Sequence, residues 1–209
     1  MRNTGEKDRL ILSGALRVFS EKGFHKARIS DIAKAAGVAD GTIYLYFKNK
    51  EDILVSLFRA RLGELVGKFK ESLKPDASAV EALKIICDLH FKEMESDPAF
   101  AVVTQIELRQ SSMQLRKEIG IALKPYILLI EGILQKGIHQ GHFHPHINIK
   151  LLRSLLFGAL DEAVTSWLIG GQKYPLTALS EPTLRFFLNG LTASKEDAYE
   201  HCRAAQANV

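Results

Sequence analysis

The chain has 209 residues, 46% of them hydrophobic, with two cysteines and a formal net charge of +4. That length allows one or two domains with a sizeable core, and two cysteines without metal-ligand spacing argue against a disulfide scaffold and fit a reducing cytosol. The charged start leads into no long apolar run, so no signal peptide is expected, and no stretch nears the roughly 18 uninterrupted apolar residues of a membrane span.

The charge is uneven. Residues 1–50 hold ten Lys/Arg against five Asp/Glu, whereas residues 51–209 hold eighteen against nineteen. A basic head on a nearly neutral body is the distribution of a DNA-binding module joined to a separate sensing module.

In chain order, Asp8 to Glu21 predicts a helix with Leu12, Ala15, Leu16 and Phe19 on one stripe, ended by Gly23. Residues 28–50 then read as two very short helices joined by a Gly turn. Ser30 suits an N-cap, Asp31 complements the positive helix start, and Ile32, Ala33 and Ala36 can face inward. Gly37 supplies the backbone angles of a tight turn, and Asp40 caps a second helix of about seven residues. Ile43 and Phe47 fall four apart on one face and pin that helix inward. Left outside are Ala39, Gly41, Thr42, Tyr44 and Tyr46, flanked by Arg28, Ser30, Lys48 and Lys50. Small residues let a helix start approach base edges, hydroxyls reach bases or phosphates, and cations neutralise the backbone. This is the pattern of a DNA-reading helix-turn-helix, although an ordinary helical hairpin shares its outline.

Lys50 to about Leu73 predicts a long helix that starts in the head and enters the body, stopped by Pro75-Asp76. Further helices are expected over Ser78 to Glu95, Pro98 to about Gln110, Met113 to Gln140, Ile149 to Ile169 and Thr177 to Leu191. No strand pattern, repeat or low-complexity tract interrupts them. The expected fold class is all-α: a three-helix DNA-binding domain over 1–50, a six-helix ligand-binding and dimerisation domain over 51–192, and a polar, frayed tail over 193–209. The last two helices carry more apolar surface than one bundle face needs. Either the protomer buries it all, or the helix pair meets a twofold partner.

The run Gly37-Val38, Gly41-Thr42, Tyr44, Tyr46-Phe47 and Lys50-Glu51, with Glu21 to Phe24 upstream, resembles the helix-turn-helix of TetR-family transcriptional regulators. The stretches Val102 to Ser111 and Phe157 to Trp167 are similar to the acyl-CoA-responsive repressors of fatty-acid degradation within that family. This resemblance implies a cytoplasmic homodimeric repressor on double-stranded, palindromic operator DNA. It implies release by a lipophilic effector, long-chain acyl-CoA in the first instance, with no cofactor and no membrane partner. Two other readings stay open: an efflux regulator answering to a drug or solvent, and an architectural DNA binder without effector.

A long acyl chain needs a dry tunnel between helices. Phe91, Val103, Ile106, Leu123, Ile127, Phe157, Leu160, Val164 and Trp167 are the candidate lining, though plain core packing is the better account of any one of them taken alone. Coenzyme A phosphates need cations at the mouth. Arg109 is the first candidate, with Arg116, Lys117, Lys124 and Arg153 behind it, and an ion pair with Glu107, Asp161 or Glu162 is its alternative role. His139, His142, His144 and His146 lie on a loop without cysteine or carboxylate partners and read as solvated rather than metal-binding. Cys87 with His90 mimics a thiol–imidazole pair but fits an apolar helix face better. No phosphate loop, nucleophile elbow or zinc-protease motif is present, so no enzyme is expected.

Overall fold

The computed structural model describes residues 4–107 and 112–191. Arg109 and the expected frayed tail, 193–209, therefore lie outside the described residues. Within them the chain is helical and has no strand. The head holds α1 (Thr4–Lys22), α2 (Ile29–Ala36) and α3 (Asp40–Ile43). The body holds α4 (Lys50–Ser72), α5 (Ala79–Ser96), α6 (Pro98–Glu107), α7 (Met113–His139), α8 (Ile149–Ile169) and α9 (Ser180–Leu191). None of these helices is long and apolar enough to cross a membrane.

In the head, Ile11, Ala15, Val18 and Phe19 of α1 meet Ile32 and Ala33 of α2, Ile43 of α3 and Phe47, all buried. Gly14 permits this closeness: a Cβ there would lie 2.8 Å from the Ala36 nitrogen. Gly37 turns the chain out of α2 in the left-handed region, at φ 67°, where a side chain would be strained.

Local chemistry shifts two helix starts from the sequence expectation. Arg28, not Ser30, is the N-cap of α2, because Asp31 reaches back to accept the Arg28 backbone N–H at 3.2 Å. Ser30 becomes an exposed first-turn residue. Asp40 is the first helical residue of α3 and Ala39 its cap. The α-helix there lasts four residues, and the turn continues through hydrogen bonds from Tyr46 and Phe47 N–H to the Ile43 carbonyl. The last expected helix is also split: Leu176–Leu179 is a 3-10 turn, and α9 follows with Pro182 in its first turn, where a missing N–H costs nothing.

In the body, α4 packs on α7, while α5 contacts α7, α8 and α9 and α6 rests on α1 and α8. Asn49 caps α4 and Ser78 caps α5 through side-chain oxygens that accept N–H groups three residues on. One continuous apolar core runs from Ile11 in the head to Leu191 at the end of α9.

Candidate nucleic-acid interface and effector chamber

Ala39, Gly41 and Lys48 are exposed around α3, Thr42 is half-buried, and Tyr44 is 60% exposed. Tyr46 is only half-exposed and packs against the core. Arg28 and Ser30 open α2 on the surface, as expected. Sequence reasoning missed Leu45, which stands 69% exposed beside Tyr44. An exposed leucine in the turn that ends a DNA-reading helix would suit apolar contact with a thymine methyl.

Lys50 departs from expectation. Its ammonium donates to the carbonyls of Phe24, His25 and Ala27 at 2.7, 3.2 and 3.0 Å, and lies 4.5 Å from the Phe24 ring centroid. An ammonium has three donors, and all three are spent on the turn between α1 and α2. Lys50 therefore builds the head from inside and has no hydrogen left for a phosphate.

The same turn is held from the body. The Phe24 backbone N–H donates to the Glu107 carboxylate at 3.0 Å, and Glu107 is buried. Two residues earlier on α6, the Gln105 amide donates to Asp161 on α8 at 2.9 Å and accepts from the Thr165 hydroxyl at 2.6 Å. At the other end of α6, Arg61 of α4 pairs with Asp97 at 2.9 Å and lies over the Phe100 ring. Helix α6 is thus fastened to α4, to α8 and to the head. The neighbouring carboxylates of α8 divide accordingly: Asp161 faces inward onto Gln105, whereas Glu162 is exposed and accepts from Ser166.

The candidate chamber lies among α5, α6, α7 and α8. Phe91, Val103, Leu160, Val164 and Trp167 are buried there, Leu123 and Phe157 are half-buried against them, and Ile127 of α7 is half-buried. The Trp167 indole N–H is fixed on the Tyr174 carbonyl at 2.8 Å. Ile106 departs from expectation: it is 57% exposed. Val103, Thr104 and Glu107 face the interior at helical spacing, which turns position 106 outward. Arg116, Lys117 and Lys124 are exposed along α7, and Arg153 pairs with Glu131 at 3.2 Å.

Cys87 makes no thiol–imidazole pair. Burial pushes its thiol up to about 12, and His90 instead turns its Nδ1 to the Tyr126 hydroxyl, 3.1 Å away. Glu107, Gln105, Thr165 and Tyr126 were not singled out as site residues from sequence; the polar residues of α6 on an otherwise apolar helix were the available signal. Among the described residues, no group of three or more His, Cys, Asp or Glu side chains is placed to hold a metal ion.

Comparison with known proteins covers both parts. Residues 11–57 match the model for bacterial regulatory proteins of the tetR family, and residues 58–190 match that for the C-terminal region of YsiA-like proteins. The fatty acid metabolism regulator protein of Bacillus subtilis is 45% identical over 181 residues, 87% of this chain and 93% of that protein. The fatty acid degradation regulator FadR from Bacillus halodurans superposes with a TM-score of 0.84 at 45% identity, covering 88% of this chain and 95% of that one. FadR from Bacillus subtilis in complex with stearoyl-CoA gives 0.84 at 44% identity, covering 87% and 98%.

Proposed function

Since the chain belongs to the TetR family of bacterial regulatory proteins, we propose that it is a dimeric repressor of fatty-acid degradation genes, bound to a palindromic operator and released by long-chain acyl-CoA. Thr42, Tyr44 and Leu45 read base edges, with Ala39 and Gly41 allowing the approach. Arg28, Ser30, Tyr46 and Lys48 hold phosphates. The acyl chain fills the apolar space among α5, α6, α7 and α8, and the cations at the N-terminal end of α7, with Arg109, take the coenzyme A phosphates.

The observation that carries this reading is that α6 holds both ends of the signal. Gln105 ties it to the chamber wall on α8, and Glu107 ties it to the head at Phe24. A chain wedged between α6 and α8 moves α6, and the α1–α2 turn moves with it. Two heads of a dimer must present their reading helices about 34 Å apart, so a small displacement at each turn is enough to spoil the fit. The dimer face is α8 with α9, where Leu151 and Leu155 are more than half exposed and Phe186 is 73% exposed.

The test is operator release. Stearoyl-CoA at saturation frees the DNA, while stearate and coenzyme A, each holding half of the recognised chemistry, do not. Release by an unrelated lipophilic drug with no response to stearoyl-CoA would replace this effector with another and leave the DNA-binding reading standing.

A further inference from the structure

One polar group buried between α5 and α7 is not explained by packing. His90 of α5 is 3% exposed, and its ring stacks on Tyr126 of α7 with centroids 6.2 Å apart and planes at 21°. Phe91 and Phe157 close edge-on around the pair. Nδ1 has the Tyr126 hydroxyl, but Nε2 is buried and has no hydrogen-bond partner among the described residues. Buried side-chain nitrogens without a partner are few in folded proteins, and each implies a cost that a phenyl ring at the same place would avoid.

The tautomer follows from the surroundings. Burial lowers the pKa of His90 to about 4, so the ring is neutral at pH 7 and carries one hydrogen. Burial also raises the pKa of the Tyr126 phenol, which keeps its hydrogen and needs an acceptor. Nδ1 is that acceptor, and the imidazole hydrogen then sits on Nε2. The reverse tautomer would strand two groups, the phenolic O–H and the Nε2 lone pair. The result is a single N–H donor, fixed by Tyr126 and flanked by the Phe91 and Phe157 rings. Asp161 of α8 is near enough to act on His90 by its charge, yet its carboxylate takes the Gln105 amide and not Nε2.

The position fits one atom of the effector. Tyr126 lies ten residues along α7 from Arg116, about 15 Å at helical rise. That is comparable to the reach of the pantetheine arm between the diphosphate and the sulfur of coenzyme A. Pro125, beside Tyr126, removes one backbone hydrogen bond from α7 at this level and gives the wall a place to bend. Resting on the acyl-CoA reading above, we propose that the His90 Nε2–H, oriented by Tyr126, donates to the carbonyl oxygen of the acyl thioester. The carbonyl then becomes a recognised feature of the effector, as the chain and the phosphates are.

The experiment compares stearoyl-CoA with S-octadecyl-CoA, the thioether that lacks only the carbonyl oxygen, by calorimetric titration of the whole protein. Burial alone favours the thioether, whose methylene is cheaper to desolvate than a carbonyl. The proposal expects the opposite order, with the thioester bound about tenfold or more tightly by the wild type. In His90→Phe the ratio collapses towards one, and in Tyr126→Phe, where the tautomer is no longer fixed, it falls between. The wild-type comparison stands even if a variant does not fold. Equal binding of the two ligands, or a preference that survives His90→Phe, overturns the proposal and leaves the acyl-CoA reading intact. Binding of neither ligand overturns both.

Discussion

Two lysines two positions apart, Lys48 and Lys50, do different work. Lys48 is exposed beside α3, while Lys50 is locked on three carbonyls of the α1–α2 turn. Lys48→Ala should lower the slope of log affinity against log salt by about one unit, the value of one lost phosphate contact. Lys50→Met should leave the slope alone and destabilise the protein by about 1–3 kcal/mol, since the carbonyls lose a charged donor. Operator titrations at several salt concentrations and urea unfolding separate the two. His90 makes a second residue-level prediction. Its pKa is lowered from 6.5 to about 4 by burial, so the unfolded chain binds a proton that the native protein refuses. The stability it contributes is complete above pH 6.5 and is lost as pH falls towards about 4, on the order of 3 kcal/mol in all. On acidification through that window the unfolding free energy of the wild type should fall relative to that of His90→Phe by about that amount; parallel curves would mean that His90 titrates normally.

At the scale of elements, α6 is a short strut whose ends are fastened by polar groups rather than by apolar packing alone. Replacing Glu107 with Leu removes the acceptor of a buried N–H and should cost about 1–3 kcal/mol. It should also shrink the factor by which effector weakens operator binding. Glu107→Gln keeps an acceptor oxygen and should retain most of that factor. A full response in Glu107→Leu, measured by operator affinity with and without stearoyl-CoA, would place the signal elsewhere. Helix α9 carries the other element-level prediction. Phe186→Glu alters an exposed position, so the protomer should fold, sediment as a monomer and lose operator affinity. A dimer with wild-type affinity would move the interface off this face. These helices were largely legible in the sequence because their cause is local: Gly37 needs the left-handed turn, and Ile43 and Phe47 share a face. Helix α8 runs over the expected residues, Ile149–Ile169. The joint was not legible, because its partners are backbone groups far away in sequence. Nothing about Glu107 announces an N–H group 83 positions earlier, and nothing about Lys50 announces the carbonyls of Phe24 and Ala27. Ile106 was misplaced for the simpler reason that an isoleucine on an apolar helix says nothing of which face it occupies.

For the molecule as a whole, head and body share one apolar core, and the polar ties of α6 run along its edge. The apolar interior of the body and the helix-turn-helix of the head are therefore parts of one packed unit. In the proposed dimer the basic head would supply affinity for DNA, the α8–α9 face would fix the spacing of two heads, and the bound effector would decide whether that spacing is the right one. A ligand can shift such an equilibrium only by binding its states with different affinity, and the coupling must be equal in both directions. The most direct test is thus a thermodynamic cycle on the intact protein, with operator affinity measured with and without saturating stearoyl-CoA and stearoyl-CoA affinity measured with and without operator. Each ligand is expected to weaken the other by the same factor, tenfold or more for a coupling above about 1.4 kcal/mol. Operator and stearoyl-CoA binding together with no mutual effect would contradict it.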